Sequence, residues 1–167
     1  MQIPSRFSIA IHICLCVEFF NQDSSFNANT DKKHCKKMTG EALAESVGVN
    51  SVIVRNILAS LKSAGLISIF RGSNGAKLSK NPSDISLLDI FYAVESTKKD
   101  LSQKRNAKEA HYKLFRFHAN PSELCLLGKN IHNLLDSHFD NAQNALEAYF
   151  ASVKLDSLLE TLKERTL

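Results

Sequence analysis

The sequence predicts a mostly α-helical protein with one small β-hairpin. Three observations lead there. Between Thr39 and Gly65, two short helical patterns meet at Gly48, with apolar residues spaced to share one core. Over Leu66–Lys80, two strand-like runs flank Ser73-Asn74-Gly75, and Asn-Gly is a strong hairpin signal because both residues accept positive φ. Further on, an apolar stripe at helical spacing covers about residues 122–151. The arrangement is that of a winged helix-turn-helix followed by a long dimerisation helix, with residues 1–80 forming the first unit and 81–167 a helical second one.

The elements follow in order. A first helix starts near Pro4, a residue suited to a first turn, and runs to about Phe20 with Ile9, Ile13, Cys16 and Phe20 at helical spacing. Asn21–Lys37 is polar, offers little to bury and reads as a loop. Thr39 is a good N-cap for a helix ending at Val47; Asn50 or Ser51 caps the next, which Gly65 ends after Ala64. Ser86–Glu95 is an amphipathic helix with Leu87, Ile90, Phe91 and Val94 on one side, and 97–110 is a charged linker or weak helix. The last long pattern steps through Leu124, Leu127, Ile131, Leu134, Leu135, Phe139, Ala142, Leu146 and Phe150. Roughly 28 residues make a helix of about 42 Å, longer than a small domain needs. Its stripe calls for a partner, and the simplest is the same helix of a second subunit, packing on the first helix being the alternative. A short helix over Asp156–Lys163 closes the chain.

The helix-turn-helix rests on steric requirements. Ala44 stands where the two helices come too close for a large side chain, and Gly48 where the chain turns sharply. Leu43, Val47, Val49, Val54 and Ile57 fall where the helices share apolar surface. The second helix buries Val54, Ile57, Leu58 and Leu61, leaving Ser51, Val52, Arg55, Asn56, Ala59 and Lys62 on the other face. In such a helix the N-terminal residues reach deepest into a DNA major groove. Arg55 can grip guanine in bidentate fashion, Asn56 can pair with adenine, and Val52 can touch a thymine methyl. Lys62, two turns from Arg55, suits phosphate, and Thr39 and Ser51 can offer hydroxyls to phosphates. In the hairpin, Arg71, Ser73, Asn74 and Lys77 surround Gly72 and Gly75, where backbone can approach a sugar-phosphate wall and an arginine can enter a narrow minor groove.

Charge points the same way. The net charge is only +4, but residues 1–80 hold ten Lys/Arg against five Asp/Glu, while 81–167 hold eleven against twelve. A basic front half is suited to a polyanion.

Four cysteines are present: Cys14, Cys16, Cys35 and Cys125, with no CxxC spacing. Cys14 and Cys16 fall in an apolar helix where small buried thiols belong. His12 and Cys16 stand at i, i+4, a metal-capable spacing, but a buried thiol is the simpler reading and no metal site is expected. Cys35, among Lys32, Lys33, Lys36 and Lys37, is a redox candidate because neighbouring cations favour the thiolate; a passenger cysteine in a basic loop is the alternative. Cys125 is a second candidate at the start of the long helix, where burial is the first expectation and the helix dipole would instead lower its pKa. The apolar stretch Phe7–Phe20 is interrupted by His12 and Glu18 and is too short to span a bilayer, so a cytoplasmic protein without a membrane partner is expected. No P-loop, GxSxG, HExxH or dinucleotide motif occurs, and His111, His118, His132 and His138 lack a nucleophile pattern, so an enzyme is not expected.

The sequence resembles the Rrf-two family of winged-helix repressors, with its IscR-, NsrR- and CymR-like branches. The resemblance lies in Ile3–His12, Ala44–Asn50, Leu61–Leu66, Arg71–Leu78 and Asp84–Val94. It implies a homodimer with a long crossed helix, bound to a pseudopalindromic operator in double-stranded DNA. Iron–sulfur members carry three cysteines between the post-wing helix and the long helix; here that window, about residues 95–128, holds only Cys125. One thiolate cannot replace that set. The resemblance is therefore to the branch without a cluster, no cofactor is expected, and the effector, a small molecule or a protein, is not specified. Two alternatives accompany the repressor reading: thiol-based redox control through Cys35 or Cys125, and a protein-interaction regulator that has lost DNA binding.

Overall fold

A computed structural model describes residues 5–22, 39–70, 75–95 and 114–166. Cys35 with its lysines, the hairpin tip with Arg71, Ser73 and Asn74, and the 97–110 run lie outside the described residues. The architecture matches the expectation: six α-helices among the described residues and one two-stranded antiparallel sheet.

Helix α1 (Ser5–Gln22) is the centre of the core. Phe7, Ala10, Ile13, Cys14, Cys16 and Val17 are all buried along it. A helix apolar around so much of its circumference needs neighbours on several sides. The later helices α2, α3, α4 and α6 and the hairpin supply them. The helix continues two residues past Phe20, so Asn21 is helical rather than part of the loop; its Nδ2 donates to the carbonyl of Ala76, 3.1 Å away, and ties α1 to the hairpin.

Helices α2 (Gly40–Val47) and α3 (Ser51–Ser63) meet at a bend of 112°. Gly48 makes the bend at φ 72°, a conformation that costs a side-chain-bearing residue about 1 kcal/mol or more. Thr39 Oγ1 accepts from the N–H of Ala42, and Asn50 Oδ1 from that of Val52. Asn50, not Ser51, is therefore the cap of α3. At the other end the Leu66 N–H reaches the Leu61 carbonyl and the Gly65 N–H that of Lys62. These two bonds with buried Leu61 and Leu66 form a Schellman stop.

Strands β1 (Ile67–Ile69) and β2 (Ala76–Leu78) pair with Ser68 opposite Lys77. A 3₁₀ turn at Pro82–Asp84 leads to α4 (Leu87–Glu95), whose start is a reciprocal cap: Asp89 accepts from the Ser86 N–H and hydroxyl, and the Asp89 N–H donates to Ser86 Oγ. Ile90, Phe91, Ala93 and Val94 bury its core face.

Helix α5 (Leu126–Ser152) has 27 residues, about 40 Å. It begins four residues later than its apolar pattern. Gly128 lies so close to the preceding loop that a Cβ there would meet the Ser122 carbonyl oxygen at 2.6 Å, and Leu124 is fully exposed ahead of the helix. Near its end Phe150 joins Phe7 and Phe91 in an aromatic cluster. Further toward its start Phe139 stacks on Phe115 and Phe117. Its one buried residue is polar: Gln143 Oε1 accepts from the Leu114 N–H at 3.2 Å, and Nε2 donates to Glu147 Oε1 at 2.8 Å. Glu147 also bonds the Tyr92 hydroxyl, which, with burial, raises the phenol's pKa. Helix α6 (Leu155–Thr166) returns to α1, clamped by the Leu87 N–H on the Val153 carbonyl and the Leu155 N–H on that of Ile85. No single helix among the described residues is long and apolar enough to cross a membrane.

Candidate nucleic-acid interface

The two faces of α3 divide cleanly. Val54, Ile57, Leu58 and Leu61 are buried against α1, α2 and α4, as their spacing predicts. This packing holds the opposite face outward, where Val52, Arg55, Asn56 and Lys62 are exposed. The Arg55 guanidinium rests 3.4 Å from Ser51 Oγ, a long bond that leaves the fork free to exchange it for a base edge. No acidic residue occupies the first turn of α3, so no carboxylate there offsets the positive end of its dipole. Lys62 lies one full heptad beyond Arg55, about 10 Å along the axis, on the same side. Thr39 and Ser51 are half-buried; the Thr39 oxygen caps α2, but its O–H remains a donor.

Two residues of this surface escaped the sequence reasoning. Ile53, to which the sequence assigned no role, is 41% exposed beside Val52 at 53%. Phe70, just past β1, is 47% exposed with Lys77 Nζ 6.0 Å from its ring centroid. An aromatic residue abutting the basic hairpin tip was the available signal. The structure thus places Lys77 on the hairpin flank.

The cysteines separate by environment. Cys14 is fully buried, and burial pushes its thiol up to about 12. Cys16 is buried too, with a raised pKa, and its sulfur lies 3.4 Å from Ser46 Oγ, which lies 3.4 Å from His12 Nε2. This contact ties α1 to α2. Cys125 corrects an expectation: it is exposed, not buried, because the helix starts after it. Backbone N–H groups of Gly128 and Leu127 hold its thiol below the ordinary cysteine value.

Comparison with known proteins agrees with this geometry. The Rrf2 family, described as iron-dependent transcriptional regulators, matches residues 3–161. YwnA of Bacillus subtilis, described as an HTH-type transcriptional regulator, is 33% identical over 160 residues, covering 96% of this chain and 98% of its own. A crystal structure described as a DNA-binding protein is 31% identical with TM-score 0.63, covering 93% of this chain and 99% of its own. IscR of T. potens shares the fold at TM-score 0.63 and 17% identity, over 100% of this chain and 92% of its own.

Among the described residues, the iron in the family's description finds no matching donor set. Cys14 and Cys16 are sealed in the core of α1, and Cys125 stands alone in its window. Among the described residues no group of three or more His, Cys, Asp or Glu is placed to hold a metal ion. By sequence match, relatives and architecture alike the chain belongs to the Rrf2 family of DNA-binding transcriptional regulators.

Proposed function

We propose that this regulator is a homodimeric repressor that binds a pseudopalindromic operator and works without an iron–sulfur cluster. The observation that carries the reading is the outward face of α3, where Arg55 and Asn56 stand exposed at the N-terminal half of a helix anchored by four buried residues. These two side chains carry the bidentate groups that distinguish guanine and adenine in the major groove. Lys62 and Lys77 add sequence-independent phosphate contacts, and Thr39 and Ser51 hydroxyl donors. Arg71, Ser73 and Asn74 extend the reading to the hairpin tip by sequence alone.

The dimer is supported by α5. Leu126, Leu127, Leu134 and Tyr149 are each more than half exposed in the single chain, an apolar surface along one 27-residue helix that a second copy could cover. Crossing with its copy would bury them and set two α3 helices on successive major grooves.

The test is selection of duplexes from random sequence, followed by gel shifts on the winner. Arg55→Ala should lose about 1–3 kcal/mol and relax preference at one base pair per half-site. Lys62→Ala should weaken all duplexes alike and flatten the salt dependence. Unchanged operator preference in Arg55→Ala would refute the assignment.

A second reading adds thiol control to the same protein. It is favoured by Cys125, whose exposure and backbone hydrogen bonds both promote the thiolate. Operator affinity that peroxide changes in the parent but not in Cys125→Ser would establish it; Cys35→Ser tests the other thiol.

A further inference from the structure

The apolar residues of α3 present an oddity that core packing does not explain. Its buried face is complete with Val54, Ile57, Leu58 and Leu61, each no more than 6% exposed. Yet Val52 and Ile53 stand side by side in the first turn, 53% and 41% exposed. Two consecutive β-branched residues in an exposed helical turn also work against helix propensity. Packing covers only about half of each side chain, which leaves an apolar surface that an occupant could cover.

The neighbours identify it. Ser51, Arg55 and Asn56 share this end of the helix, no carboxylate lies in its first turn, and among the described residues the Arg55 fork is held by a 3.4 Å bond to Ser51. That setting suits the edge of a duplex rather than an apolar protein surface, which would strand the guanidinium. On the major-groove edge of DNA the apolar feature is the 5-methyl group of thymine. Side chains one residue apart on a helix diverge by about 100°, enough to cover neighbouring base pairs stacked about 3.4 Å apart.

We propose that Val52 and Ile53 together read two neighbouring thymines through their methyl groups, so that each operator half-site carries adjacent T·A pairs beside the base gripped by Arg55. This deepens the proposed function and rests on it.

Deoxyuridine supplies the test, because it removes the methyl and keeps every hydrogen-bonding group. The duplex that the full-length protein selects from random sequence is remade with deoxyuridine at each thymine in turn. Two adjacent positions should each cost the parent about fourfold in affinity, the worth of one buried apolar carbon. Val52→Ala should be insensitive to uracil at one of them and Ile53→Ala at the other. Both residues are exposed, so neither variant should lose stability. A selected duplex that binds equally with uracil throughout, or a uracil penalty that persists in both variants, overturns this inference while leaving the DNA-binding reading intact. Failure to select any duplex overturns both.

Discussion

Replacing Gln143 by Leu tests the polar contact that joins the back half to the core. The two side chains are similar in volume, so no cavity opens. The change strips the Leu114 N–H of its acceptor and takes a donor from Glu147. An unpaired N–H at this part-buried site costs up to about 1–3 kcal/mol. Glu147 keeps the Tyr92 hydroxyl and is partly exposed, so water replaces most of what it loses. The leucine regains about 1 kcal/mol through apolar burial at a site only 8% exposed. The net loss should be about 0–2 kcal/mol, or at most roughly 4–8 °C in melting temperature for a chain of this length. Thermal melts must be run at fixed protein concentration, since a dimer's midpoint depends on it. Gln143→Glu provides the control. It keeps the Leu114 acceptor but sets a carboxylate against Glu147, raising the folded-state pKa above the unfolded value of about 4.3. Its stability should therefore be near parental below pH 4 and fall as pH rises through the raised value. A Gln143→Leu protein that melts above the parent, or a Gln143→Glu protein whose deficit does not grow with pH, would refute the reasoning.

Three further outcomes follow from the geometry. Glu95 ends α4 with a buried Oε1 that has no hydrogen-bond partner among the described residues, and burial raises its pKa against the opposing pull of Arg6. Its ionised form is thus disfavoured in the fold, so Glu95→Gln should stabilise the protein at pH 7 and lose that advantage below about pH 4.5, as paired melts would show. Leu134→Lys places a charge on the exposed stripe of α5 and should shift sedimentation from dimer toward monomer without changing the circular dichroism of the fold; an unaltered dimer would place the interface elsewhere. Thiol labelling at pH 7, read by mass spectrometry, should modify Cys125 rapidly and leave Cys14 untouched until denaturant is added.

Much of the reading surface was legible from residue order. Local rules act there: Thr39 and Asn50 cap because their side chains reach backbone N–H groups two or three residues on, and Gly48 turns because it alone carries no Cβ into φ 72°. The 3.6-residue period then separates Val54, Ile57, Leu58 and Leu61 from Arg55 and Asn56 without reference to anything distant. Where burial depends on a remote contact, the period misleads. Ile53 was assigned no role because its exposure depends on where α1 and α4 stop covering α3. Cys125 read as buried because its pattern is apolar, but the close approach of Ser122 to Gly128 delays the helix and leaves the thiol outside.

By itself, then, the sequence determined the order of elements, the turn between α2 and α3 and the polar side of the recognition helix, since each follows from interactions within a few residues. Only the tertiary structure decided which apolar residues remain uncovered, that Gln143 is the buried residue of a 27-residue helix, and that Cys125 faces solvent, since each depends on segments distant in sequence meeting or failing to meet. The winged helix-turn-helix itself therefore stands as expected, and the structure leaves Ile53 exposed beside Val52 on its second helix.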